Sequence, residues 1–278
     1  MPERRRPGFS GWKTSRMFSF LLPELTFAHI EALAPFIAVG FVAQVVDGAL
    51  GMAFGVITNT LLVSVIGIAP ARASASVHLV ETFTTAASAV SHIAQRNVDW
   101  RLFARLVLPG MLGGILGAYL LANIDGSVAR PFVMAYLVGI GVYLLWRAWR
   151  MDHGAEHKPA KVIAPLGLVG GFLDAAGGGG WGPVVTSNLL VQGTEPRRTI
   201  GTVNTAEFFL TSTISLTFVA TLGLQAFTIA AVGLIIGGLL AAPIGALLVK
   251  RIPAKRLLTM VGIVLVATSV FSLWKALA

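Results

Sequence analysis

Four acidic residues stand inside or beside long apolar runs of this 278-residue chain: Asp47, Glu81, Asp174 and Glu207. A carboxylate at the centre of a bilayer costs about 2.5–3.5 kcal/mol even on the mild insertion scale, so each needs a partner, water or a proton. Asp47 and Asp174 are 127 residues apart, and Glu81 and Glu207 are 126 apart, which makes two matched pairs. Matched intramembrane carboxylates are suited to proton exchange. Glu81 lies near Ser76, His78, Thr82 and Thr84, and Glu207 near Asn204, Thr205 and Thr211, so both have polar surroundings. Asp47 and Asp174 have a second use. Each precedes a glycine-rich break and can accept from the free N–H groups of the next half-helix, as an N-cap does.

The breaks read Asp47-Gly-Ala-Leu-Gly-Met-Ala-Phe-Gly55 and Asp174-Ala-Ala-Gly-Gly-Gly-Gly-Trp-Gly182. A helix that begins inside the membrane leaves up to about four N–H groups unpaired, and its dipole favours negative charge there. Oxyanions bind at such ends without a cationic side chain. Gly51, Gly55, Gly178, Gly179, Gly180 and Gly182 are therefore candidates for holding an anion, with His78, Asn204 and Thr205 as side-chain contributors. Tight helix packing is the plainer use of the same glycines. Arg72 and Arg198, each two residues after a proline, read as interfacial anchors that could also attract an anion. The chain has no cysteine, and His78 and His92 lie 14 residues apart with no carboxylate at ligand spacing. Neither a metal site nor a cofactor is expected. Nucleotide-loop, zinc-protease and serine-hydrolase motifs are absent too, so an intramembrane enzyme is the weakest functional class.

The elements that must position these residues follow from composition. Hydrophobic residues make up 55% of the chain, charged residues 12%, and the mean hydropathy is +0.80. Soluble domains carry about 25% charged residues. The expected fold is an all-α integral membrane protein with about 8–10 membrane segments. Apolar runs fall at about 35–66, 73–94, 102–122, 131–149, 163–192, 203–222, 226–249 and 257–274, mostly the length that crosses roughly 30 Å of hydrocarbon. The two glycine breaks lie in 35–66 and 163–192, where they predict re-entrant or hairpin segments. Broken backbone at that depth must be buried in protein or line a cavity.

The runs form an internal repeat. Beyond the acids, Phe54 matches Trp181 and Gly55 matches Gly182, while Pro70, Arg72 and Val77 match Pro196, Arg198 and Val203. The organisation read from this is a basic tail with an interfacial or weakly spanning helix at 1–34, a first transmembrane repeat at 35–149, a charged linker at 150–162 and a second repeat at 163–278. The net charge of +9 is not a nucleic-acid signature. Five Lys or Arg lie in the first 16 residues and nearly all others in short loops. If each broken run returns to the face it came from, loops 95–105, 147–161, 193–198 and 250–256 share one side with thirteen Lys or Arg, against three on the other. That bias marks the cytoplasm, and an odd number of crossings per half then inverts one repeat relative to the other.

The paired glycine-rich segments Gly40-Phe-Val-Ala-Gln-Val-Val-Asp-Gly48 and Gly170-Gly-Phe-Leu-Asp-Ala-Ala-Gly-Gly-Gly-Gly180, the Pro-x-Arg turns at 70–72 and 196–198, and Glu207 after Thr202-Val-Asn204 resemble the TauE/SafE family of sulfite exporters and related anion permeases. The resemblance runs from about Phe36 to Trp274. It is weaker in the first repeat, where Leu50, Met52 and Ala53 stand in place of glycines. It implies a multi-pass permease of the bacterial inner membrane that exports or imports small sulfur-containing or carboxylate anions, linked to the proton gradient. The expectation is thus a proton-coupled exporter of sulfite- or sulfonate-like anions. Its partners are the anion, protons and the lipid bilayer, with no nucleic acid and with self-association left open. An uncoupled anion channel and a permease for small carboxylates are the alternatives.

Overall fold

The computed structural model describes residues 27–50, 52–150, 159–186, 188–189, 192–224, 229–248 and 254–277. The basic tail, most of the charged linker and Gly51 lie outside these residues. Within them every regular element is helical. Helix α1 spans Phe27–Leu50; α2 spans Phe54–Thr60 and runs on as a π-helical stretch, Leu61–Ile66. The helices α3 (Pro70–Ala94), α4 (Trp100–Asn123) and α5 (Gly126–Arg150) follow. After the linker come α6 (Ala164–Gly177), a π-helical turn at Trp181–Thr186, α7 (Pro196–Leu222), α8 (Ile229–Leu248) and α9 (Ala254–Leu277). Three helices among the described residues, α4, α5 and the Arg198–Leu222 part of α7, are long and apolar enough to cross a membrane; shorter apolar helices lie at Leu33–Val45, Phe54–Ile66, Ala164–Gly177 and Ala230–Ala241.

Local sequence explains the ends. The Asp99 carboxylate accepts from the Arg101 and Leu102 N–H groups and starts α4. Pro70 and Pro196 open α3 and α7, the position where a missing N–H costs nothing. Asp125 accepts from Ser127 N–H and Oγ–H at the start of α5, which holds its carboxyl below the usual carboxylate range.

The packing is reversed relative to a soluble bundle. Helix α4 buries Gly110, Gly113, Gly114 and Gly117 and exposes Leu108, Leu112, Leu116 and Tyr119. Lipid tails are as apolar as leucine, so close backbone approach, rather than leucine burial, holds helices together in a bilayer. Helix α4 lies against α6 and α1 against α8, while α3 packs on α7 and α5 on α9. Each of these pairs joins one half of the chain to the other. Gly110 meets Gly167 and Gly171, and Gly117 meets Phe172 and Ala175, so α4 and α6 run in the same direction. Gly233 meets Leu33 and Phe36, and Gly237 meets Ile37 and Phe41, so α1 and α8 do too.

Loop contacts fix which ends lie together. Lys161 and Val162 N–H both donate to Gln192 Oε1, and Gln192 Nε2 donates to Val162 O. The two ends of the second glycine-broken run are therefore side by side. Asp99 N–H donates to Thr202 Oγ1, which adds the start of α4 to that group. Ala69 and Arg72, which follow the first broken run, line a different pocket with Ile124, Gly126 and Leu222.

A Cβ on Gly113 would collide with the Leu168 carbonyl and the Phe172 nitrogen, both backbone atoms that cannot swing aside. Gly113→Ala is expected to cost about 1–3 kcal/mol through overpacking. Gly139→Ala, which meets open space, is expected to leave thermal unfolding in detergent unchanged.

Candidate functional site

Both helix breaks come to the centre of the molecule, where their backbones touch. A Cβ on Gly179 would collide with Gly55 and the Val56 nitrogen, and one on Gly178 with the Asn59 side chain. Both Gly178 (φ 70°) and Gly179 (φ 135°) have positive φ, so these positions require glycine twice over, for conformation and for space. Side chains brace the crossing. Asn59 Nδ2 donates to Gly177 O at 2.7 Å, Tyr136 Oη to Gly179 O at 3.1 Å and Ser74 Oγ to Ala175 O at 2.8 Å.

The aspartates cap the two breaks in the same way. Asp47 Oδ1 accepts from Phe54 N–H at 3.2 Å, and Asp174 Oδ1 from Trp181 N–H at 2.8 Å. Phe54 and Trp181 are the matched aromatics, and both are buried. Trp181 Nε1 donates to Val203 O and so ties the second break to α7.

A small cavity of about 10 Å³, roughly the space of one water, lies between the breaks. Asp47, Glu81, Asp174 and Glu207 all line it, together with Gly55, Gly180 and Gly182. Two carboxylates from each half of the chain thus face one space. Glu81 and Asp174 are buried, whereas Asp47 and Glu207 keep partial exposure. The Gly55 backbone N–H faces the Glu81 carboxylate, whose Oε1 lies close to Gly55. Its Oε2 is buried without a hydrogen-bond partner.

His78 stands behind the cavity, not on it. Its Nε2 lies 3.1 Å from Asp174 Oδ2 and its Nδ1 2.7 Å from Ser74 O, so it orients the capping aspartate. Local spacing offers His78 only Glu81, one turn on in the same helix, whereas the carboxylate it meets lies 96 residues away in the chain. Asn204 occupies the matched place in the second half and lies instead near His92, with Nδ2 3.5 Å from Nε2. Thr205 donates to Gly201 O within its own helix and does not reach the cavity. Gly178 and Gly179 form the crossing, and Gly51 lies outside the described residues. Among the described residues no group of three His, Asp or Glu side chains is placed to hold a metal ion.

Sequence reading missed Asn59 and Tyr136. Asn59 is a lone amide in an apolar stretch, a signal that was there to use; Tyr136 sits among apolar neighbours with no local sign of its partner.

Ala53, which precedes α2, has φ 108° without being glycine. Its counterpart in the second break is Gly180. Ala53→Gly is expected to stabilise the protein by roughly 1 kcal/mol by relieving that strain. Asp174→Ala is expected to cost about 1–3 kcal/mol more than Asp174→Asn, because only the alanine leaves Trp181 N–H buried without an acceptor. Thermal unfolding of the purified variants in one detergent checks both.

Residues 36–272 match the family model described as "Sulfite exporter TauE/SafE". The chain is 42% identical over 240 residues to the probable membrane transporter protein YtnM of Bacillus subtilis (strain 168), across 84% of this chain and 80% of that protein. No solved structure matches it.

Proposed function

The chain belongs to the TauE/SafE sulfite exporter family of membrane transporters, and from that premise we propose that it exports a small sulfite- or sulfonate-like anion, with coupling to protons, across the bacterial inner membrane. The observation that carries this reading is the convergence of two helix breaks and four carboxylates, two from each half, on one small cavity.

An anion and four carboxylates cannot share a space of one water while all are ionised, because like charges at such range exclude one another. The seats for an anion are already taken by the protein itself. Asp47 and Asp174 hold the first N–H of each half-helix, and Glu81 faces the next donor, at Gly55. In the proposed cycle, protons neutralise Glu81 and Glu207, Glu81 leaves Gly55, and the substrate oxyanion takes the donors near Gly55 and Gly182. Release of the anion returns the carboxylate to its place and the proton to the other side. Glu81, buried with one unpartnered oxygen, and Glu207, partly exposed, suit the inner and outer steps of such a relay.

The proposed frame is two inverted repeats, 35–149 and 163–278. The side-by-side ends of the second broken run support a re-entrant hairpin from the face of Asp99 and Thr202. The first broken run ends near Ile124 and Leu222, at the opposite ends of α4 and α7, which supports a hairpin from the other face. The parallel pairs α1 with α8 and α4 with α6 are exchanged by the same relation. Alternating access would then be rocking of one repeat against the other about the crossing.

Purified protein in proteoliposomes with an internal pH reporter tests the reading. Saturable proton movement is expected with sulfite or a small sulfonate and not with simple carboxylates. Glu81→Gln and Glu207→Gln are expected to lower it roughly tenfold or more, since a permanently neutral side chain cannot carry a proton. Unchanged coupling in both variants would return the glutamates to a structural role.

A further inference from the structure

A second polar site lies away from the central cavity, where the first residues of α4, α6 and α7 meet. It is a pocket of about 440 Å³, within the range of small-ligand sites. Arg101 and Arg105 reach it from one face of α4, four residues apart, and Arg198 from the start of α7. All three are exposed, and none forms an ion pair among the described residues, where His78 pairs with Asp174. Both acids of the pocket accept from backbone. Asp99 Oδ1 accepts from Arg101 and Leu102 N–H, and Glu195 Oε2 from Arg198 N–H. Topology signals require arginines on one face of the membrane, but they do not require three from two separate helices to converge on one cavity.

We propose that this pocket binds a phosphate-bearing anion. Guanidinium groups present planar donor forks that match phosphate oxygens, and three on one cavity suit a group with several oxygens. Trp100, largely exposed beside Arg101, is a residue type that marks the headgroup level of a bilayer. Basic pockets between membrane helices at that level hold anionic lipid headgroups; a soluble phosphate ester offers the same chemistry. The pocket also contains Pro159, Ile163 and Thr194, from both ends of the second glycine-broken run. An anion bound here clamps those ends together at the base of the central site. The proposal does not depend on the substrate or the proton coupling.

The test uses the full chain in nanodiscs of phosphatidylcholine with or without phosphatidylglycerol, with retained lipid counted by native mass spectrometry. A parallel arm titrates glycerol 1-phosphate into the pure phosphatidylcholine discs and follows thermal unfolding. Wild type is expected to retain phosphatidylglycerol selectively, and the combined Arg101→Gln, Arg105→Gln and Arg198→Gln variant to lose that retention by roughly tenfold or more. Arg256→Gln, exposed and outside the pocket, is expected to behave as wild type. Stabilisation by glycerol 1-phosphate that disappears in the triple variant identifies a soluble phosphate as a source; retention of lipid alone identifies the headgroup. If the triple variant does not fold, Arg105→Gln and Arg198→Gln singly give the same readout. Equal lipid retention in wild type and folded variants, with no phosphate response, overturns the proposal.

Discussion

A peptide N–H at a helix break inside hydrocarbon has no water to bond, and leaving it unpaired costs several kcal/mol. The centre of this protein is organised around that constraint. At each break an aspartate seven residues earlier turns back to accept the first N–H of the next helical segment. This solves the backbone problem and creates a charge problem, because a carboxylate has been brought to membrane depth. His78 answers it at Asp174. Three carbonyls at the crossing, of Ala175, Gly177 and Gly179, are taken by Ser74, Asn59 and Tyr136, each from a different helix. Those helices come close enough only because glycine lines their contacts, so the backbone constraint at the breaks and the small-residue faces of α4 and α6 belong to one requirement.

The two halves solve that requirement unequally. The second break has four successive glycines, Gly177 to Gly180, and a histidine behind its aspartate; the first has Met52 and Ala53 where glycines would stand, and Asn204 where the histidine would be. Asp174 is buried and braced, while Asp47 keeps partial exposure. The glutamates show the opposite order, Glu81 buried and Glu207 partly exposed. Each half therefore contributes one buried acidic residue and one that keeps partial exposure. The matched positions of the two halves thus form a site with distinguishable ends.

Much of this was legible because repetition leaves a mark that needs no structure. Matched acids at spacings of 126 and 127, and glycine breaks beside them, point to one central site before any contact is known. The roles within the site were less legible. Helical spacing says which side chains share a face of one helix, but His78 and Asp174 meet across 96 residues and Asn59 and Gly177 across 118. Thr205 was drawn toward the site by its position beside Glu207. A hydroxyl in a helix usually bonds the carbonyl one turn back, as it does here to Gly201. The difference between a glycine that lines the cavity, such as Gly182, and one that forms the crossing, such as Gly179, lies wholly in tertiary packing.

Charge placement sets the order of events on the proposed path. Arg101, Arg105 and Arg198 gather at one end of the helices, while the centre holds four carboxylates and a single histidine already engaged by one of them. An anion drawn toward the basic end thus approaches a centre that repels it unless that centre has first been neutralised. Among the described residues no lysine or arginine lines the central cavity, so protons are the neutralising charges that the residues present can accept. On the proposed path, proton arrival then precedes or accompanies the anion, and proton departure follows it. Coupling of this kind requires no separate ion site. It follows from placing the helix-end donors that suit an oxyanion and the carboxylates that oppose one around the same space.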